Sequence, residues 1–198
     1  VGGLVALGDR SAQIAGSHLL DPETGTYNIA ASKRLLAGRN FKLVDFVGRT
    51  QGLIFRRESI SDIESIESIS ENNLNFINRQ RGSGTRLFFD HLLGIHDIDP
   101  SEIVGYEVEE YTHWAIAAAV LSGSADVGVG IYAAAEANDL QFIPLGQERF
   151  QFVIPSEESD DTRVKAVLSV LKSNRLKESI KKLGGYDVSL MGDVSYET

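Results

Sequence analysis

A chain of 198 residues with a formal net charge of −9, from 19 Lys plus Arg against 28 Asp plus Glu, has room for one ordinary domain or two small lobes. Its 42% hydrophobic content is enough for a core, its pI near 4.9 argues against a surface that coats nucleic acid, and its apolar runs fall far short of the roughly 20 residues of a membrane helix. With no cysteine there is no disulfide framework, no thiolate metal site and no cysteine nucleophile.

Residues 2–7 read as the remainder of a helix ended by Gly8, and 12–16 as a short strand. The chain opens at Val1 without a methionine, and a strand is expected before that helix, so the N-terminus reads as cut. Residues 17–25 form a loop rich in turn formers, with His18 at a strand end beside the hydroxyl of Ser17. A helix is predicted over 27–36, then a strand over 41–47 and an extended segment over 49–55. Isoleucine recurs every third residue at Ile60, Ile63, Ile66 and Ile69, with Asp62, Glu64 and Glu67 between, which predicts a short helix over 59–70 with a solvated acidic face rather than a metal cluster. A strand ending at Ile77 and a helix through 87–93 follow, then a strand over 103–107 and an alanine-rich helix over 115–121, capped by Thr112 and stopped at Gly123. Next come a strand over 126–131, a helix over 132–137, strands over 141–145 and 150–155, and helices over 162–172 and 176–183. Strands alternating with helices throughout predict an α/β protein with largely parallel sheets.

The stretch Asn78-Arg-Gln-Arg-Gly-Ser-Gly-Thr-Arg86 joins a strand to a helix and places three arginines, two glycines and two small hydroxyl residues in nine positions of an acidic chain. The first N–H groups of a helix have no intrahelical acceptor and carry the positive end of the macrodipole, so an anion is held there by backbone donors. Gly82 and Gly84 permit N–H groups to converge, and Ser83 and Thr85 add hydroxyl donors. The plain alternative is that Ser83 is an N-cap with the arginines solvated around a loop. Two more helix starts, at Thr112-His113 and Gly130-Ile131-Tyr132, also follow strands, and in open α/β sheets the ligand crevice lies at the carboxyl ends of the strands. Arg49, Arg79, Arg81 and Arg86 are expected near these starts.

Catalytic and cofactor motifs fare poorly. Gly128-Val-Gly130-Ile-Tyr-Ala133 is a loose dinucleotide fingerprint that comes too late in the chain for the first unit of a Rossmann half. There is no Walker A lysine, nucleophile elbow or His-Glu-x-x-His pattern, and His18, His91, His96 and His113 are not spaced as a metal set. A triad of Ser83, His113 and an acid would need the fold to assemble it, so no catalysis is expected of this segment.

The Asn78–Arg86 stretch resembles a block of the periplasmic-binding-protein-like domain of molybdate metabolism. Further blocks of the same resemblance are Ala15-Gly-Ser-His-Leu-Leu-Asp-Pro-Glu-Thr-Gly25, Gly105-Tyr-Glu-Val-Glu-Glu-Tyr-Thr-His113 and Gly184-Gly-Tyr-Asp187. That domain is found fused to helix-turn-helix regulators and at the C-terminus of molybdopterin molybdenumtransferases. The resemblance implies a type II fold of two α/β lobes, residues 1–77 plus 147–198 and residues 78–146, with an oxyanion such as molybdate or tungstate in the cleft and no metal or cofactor. Ligand contacts carried over are Ser17, His18, Arg49, Gln51, Arg81, Ser83, Gly84, Thr85, Thr112, His113 and Tyr132. The resemblance also implies a cytoplasmic protein fused to an upstream domain, with no membrane or direct nucleic-acid contact by this segment, acting as a sensor or delivery module. The alternatives are an accessory domain of a molybdenumtransferase whose catalytic part lies upstream, or a regulatory domain that binds a small organic acid.

Overall fold

Two strands of 15 residues, β2 (Phe41–Phe55) and β6 (Gln141–Pro155), organise the chain, because each passes from one compact unit into the other. The computed structural model describes residues 1–57 and 63–198, divided into a first unit of Val1–Arg49 with Glu148–Thr198 and a second of Thr50–Gln147. The resemblance put the first crossing after residue 77. The division into compact units falls at Arg49–Thr50, inside β2, which runs on without a break.

The first unit holds α1 (Gly2–Gly8), β1 (Ala15–Ser17), α2 (Ile29–Leu35), α7 (Thr162–Leu171), α8 (Asn174–Lys181), β7 (Tyr186–Asp187) and β8 (Val194–Glu197) around its shares of β2 and β6. It has two apolar clusters. Leu4 and Leu7, one turn apart on α1, bury with Phe41 and Leu43 of β2 and Val153 of β6, whereas Val44 and Val47 bury with Ile154, Val164 and Leu171. Alternation alone would keep Leu43 and Val44 on opposite faces, and the register shift between them against β8 marks where the strand changes its partner register. Asp161 and Ser173 cap α7 and α8 by accepting from the N–H groups of Arg163 and Leu176.

The second unit contains α3 (Ser68–Glu71), β3 (Phe76–Arg79), α4 (Gly84–Ile95), a 3-10 turn at Pro100–Glu102, β4 (Glu109–Glu110), α5 (His113–Ser122), β5 (Val127–Ile131) and α6 (Tyr132–Glu136) with the remaining parts of β2 and β6. Phe76 stacks on Phe89 at 4.6 Å between centroids, and both belong to a cluster with Leu53, Ile66, Ile69 and Val127. Gly52 is required in β2 because any Cβ there would collide with the Ile143 carbonyl of β6.

The expectation of mostly parallel sheets is overturned. Of the six pairings described, β1 with β6 and β2 with β5, β7 and β8 are antiparallel, and only β3 with β4 and β3 with β5 are parallel. Alternation of strands and helices shows that a crossover can be built, but not which strand the next one lands beside. Here β3 leaves β2 and pairs with β5, while three later strands return against β2 in the opposite sense.

Local expectations failed where periodicity misled. The three-residue isoleucine repeat buries Ile63, Ile66 and Ile69 in one cluster, yet among the described residues of this stretch only Ser68–Glu71 is helical, since a strict period of three drifts off the 3.6 of an α-helix. Residues 59–62 of that predicted helix lie outside the described residues. The predicted strand at 103–107 is a turn: Asp99 accepts from Ser101 N–H to start the 3-10 segment, and Gly105 at φ +84° redirects the chain. The Val104 and Val108 carbonyls still bond to β3, at Phe76 N and Asn78 N. Residues 146–149, read from sequence as a break, are the middle of β6.

Candidate functional site

In the second unit, β3, β4 and β5 run the same way, so α4, α5 and α6 all begin at the carboxyl ends of adjacent parallel strands. Ser83 is the N-cap of α4, its hydroxyl accepting from Arg86 N at 3.1 Å, and Thr112 caps α5 by accepting from Ala115 N at 3.0 Å. Ser83 is therefore used as the plain reading supposed. What remains at these starts are the first-turn N–H groups of Gly84, Thr85, His113 and Trp114, which precede any intrahelical acceptor. Thr85 is 0% exposed and its Oγ1 has no hydrogen-bond partner within the chain. Gln51, also buried, lies opposite Ile131 in the β2–β5 register and so joins the same edge. At Gly130 a Cβ would lie 2.7 Å from Ile54 Cδ1, so glycine there makes room for that buried side chain, and the His113 imidazole packs nearby. Tyr132 turns its hydroxyl to Glu136, donating at 2.7 Å, and that carboxylate raises its pKa.

The arginines behind the anion argument are engaged within the chain. Arg79 donates to the Tyr111 carbonyl, and Arg81 pairs with Glu107 at 2.7 Å on an exposed side chain. Arg86 is buried, pairs with Asp90 and Glu109, and lies 4.0 Å over the Tyr106 ring. Arg81 and Arg86 are compensated by carboxylates, of which Asp90 lies one helical turn from Arg86 while Glu107 and Glu109 come from more than 20 residues away.

In the first unit, Ser17 and His18 end β1 and Arg49 lies on β2 opposite Tyr186 of β7. His18 and Arg49 meet on Glu148, whose side chain is 1% exposed. Its Oε1 takes the Arg49 guanidinium, and its Oε2 lies 3.2 Å from His18 Nδ1. Phe150 backs both, stacked on the His18 ring at 5.4 Å and 5.0 Å from the Arg49 guanidinium. Ser17 is buried and its Oγ has no hydrogen-bond partner within the chain. Burial, then the Glu148 charge, pushes the nearby Tyr27 hydroxyl up to about 12.

Sequence reasoning missed Glu148 altogether. It also missed a second buried network in which Gln151 accepts from Asn28 at 2.7 Å and donates to Asp45 at 3.1 Å and Ser195 at 2.8 Å. A signal was present: Glu148, Phe150 and Phe152 alternate along one strand face, which puts a carboxylate in an aromatic row. It was lost by reading a break at 146–149. Among the described residues no group of three or more His, Cys, Asp or Glu side chains is arranged to hold a metal ion, and no helix is long and apolar enough to cross a membrane.

A family model described as PBP superfamily domain matches residues 1–172. The Bacillus subtilis protein YvgK is 34% identical over 195 residues, 98% of this chain and 63% of its own length, so the chain spans less than two thirds of that relative. A substrate-binding protein assigned to a phosphate ABC transporter of Clostridium perfringens, with phosphate bound, aligns at TM-score 0.66 and 13% identity over 92% of this chain and 82% of that one. The substrate-binding domain assigned to a molybdenum ABC transporter of Clostridium difficile aligns at TM-score 0.60 and 15% identity, over 94% and 82%. A histidine kinase sensor domain with similarity to periplasmic binding proteins aligns at 0.56 and 12%, over 92% and 74%. These likenesses show the fold, which is that of substrate-binding proteins and of a sensor domain. They overturn the cytoplasmic assignment, because the similar structures are transporter binding proteins and a sensor domain akin to periplasmic proteins.

Proposed function

The chain belongs to the PBP superfamily, and on that premise we propose that it binds a tetrahedral oxyanion, which it senses or delivers without transforming it. The observation that carries this reading is in the second unit. Two helices, α4 and α5, start at the ends of neighbouring parallel strands, and in the first turn of α4 a threonine hydroxyl, that of Thr85, is wholly buried with no hydrogen-bond partner within the chain. Ser83 serves as cap, and Gly84, Thr85, Thr112 and His113 are assigned as contacts through N–H, hydroxyl and imidazole groups. In the first unit Ser17, His18 and Arg49 are assigned the same role.

Molybdate and tungstate are the oxyanions that the sequence resemblance favours, and the Clostridium difficile neighbour is assigned to molybdenum transport. The Clostridium perfringens neighbour holds phosphate, so phosphate stands beside them as a candidate. A second reading, a small organic acid, draws on Tyr111 and Trp114, which are 71% and 54% exposed on either side of the Thr112-His113 start and suit an apolar group attached to the anion. Calorimetric titration with molybdate, tungstate, phosphate, sulfate and a phosphorylated organic acid tests both readings. Saturable binding of an inorganic oxyanion supports the first, tight binding of the organic acid alone supports the second, and no heat from any of the five refutes both.

A further inference from the structure

One residue touches two of the first unit's candidate contacts, His18 and Arg49. Glu148 is a buried carboxylate, and a carboxylate paired with a guanidinium has no hydrogen to give. The hydrogen shared with His18 at 3.2 Å therefore sits on Nδ1. In the neutral ring this leaves Nε2 as a lone-pair acceptor. Turning the ring over would put Cδ2 in place of Nδ1 and break the contact with Glu148, and the stacking on Phe150, with 16° between planes, holds the ring against that turn. Its side chain is 26% exposed, and the next residue back, Ser17, carries the buried hydroxyl without a partner.

We infer that Glu148 is a positioning residue that fixes His18 as a hydrogen-bond acceptor and so selects an oxyanion that still carries an O–H. This rests on the oxyanion reading and narrows it. An acceptor facing a fully deprotonated oxygen sets lone pair against lone pair, whereas an acceptor facing an O–H makes a hydrogen bond. Phosphate and arsenate carry such a hydrogen near neutral pH. Sulfate, molybdate and tungstate do not. Arg49 does not reverse the preference, since Glu148 already takes its charge.

Phosphate and sulfate, nearly alike in size and shape, make the test. The His18 tautomer is read by ¹⁵N–¹H NMR of the ligand-free chain, and both affinities are measured by calorimetry at one pH, where the spectrum shows the ring neutral, and at one ionic strength. The expected result is an Nδ1–H ring and phosphate bound about tenfold to a hundredfold more tightly than sulfate. In Glu148→Gln the amide can offer its NH₂ to Nδ1, which moves the ring hydrogen to Nε2 and turns it into a donor. The phosphate-to-sulfate ratio should then fall by about tenfold or more. The uncompensated Arg49 attracts both anions alike, so the ratio is the readout rather than either affinity. His18→Gln, at a partly exposed position, should lower the ratio too and covers the case in which Glu148→Gln does not fold. An Nε2–H ring in the unmodified chain, or a ratio that neither substitution moves, overturns the inference. If no oxyanion binds at all, the oxyanion reading falls, while the tautomer, which needs no ligand, still decides whether Glu148 orients His18.

Discussion

Thr85→Val separates the demands of folding from those of binding. The Thr85 hydroxyl is wholly buried at the start of α4 and has no hydrogen-bond partner within the chain, so folding strips it of water with no compensating bond. A buried polar group left unpaired costs about 1–3 kcal/mol. Valine keeps the branched shape and removes the hydroxyl, so the free protein should gain about 1 kcal/mol, the lower end because β-branched packing at the position is retained but not improved. For a chain of this size that is about 2–4 °C in Tm. If the hydroxyl donates to a bound anion, the same substitution removes a charge-assisted bond of about 1.5–3 kcal/mol, and affinity should fall about tenfold to a hundredfold. Urea or thermal unfolding of the ligand-free chain and calorimetry with the tightest oxyanion give the two numbers. A variant that is less stable by 1 kcal/mol or more and binds unchanged would refute the reasoning, because the hydroxyl would then be serving the fold.

The other arginines and the buried tyrosine yield further expectations. Arg86→Met should destabilise by about 2 kcal/mol in urea unfolding, since it removes bonds to Asp90 and Glu109 and the stacking on Tyr106, whereas Arg81→Met, on a side chain 73% exposed, should leave the unfolding midpoint close to that of the parent. Because Glu107 already pairs with Arg81, the Arg81 variant should also leave oxyanion affinity within about threefold of the parent, far less than the change for Thr85→Val. Tyr27 has its pKa raised to about 12 by burial and by Glu148, so the folded state holds that proton more tightly than the unfolded state, whose tyrosines titrate near about 10. Stability from this group is fully present below pH ~10 and is lost as the pH rises toward ~12. Tyr27→Phe should flatten that loss and remove the latest step of the tyrosinate absorbance titration. Gly130→Ala should destabilise by about 1–3 kcal/mol, its methyl pressing on the fully buried Ile54.

Much of the chain was legible from local chemistry. Thr112 and Gly123 bound α5, Gly84–Ile95 follows the glycine turn, and Thr162–Leu171 and Asn174–Lys181 lie within two residues of the predicted helices. Caps, glycine stops and a 3.6-residue apolar stripe act over a single turn of chain, and the sequence carries them whole. The same holds for the three helix starts that follow strands, and for the family resemblance that pointed to a two-lobed binding fold. Strand direction was decided by tertiary structure alone, because β2 draws β5, β7 and β8 against itself from positions 72 or more residues away, and no local pattern states which strand a returning chain will pair with. Charge compensation was decided in the same way. Arg86 finds Glu109 23 residues on, and Arg49 finds Glu148 99 residues on, so a cluster that reads as uncompensated cation in sequence is neutralised in space. A carboxylate in the middle of a strand reveals neither that it will be buried nor what it will bind until the sheet brings its partners to it, which is why Glu148, the residue that joins His18 to Arg49, became visible only in the fold.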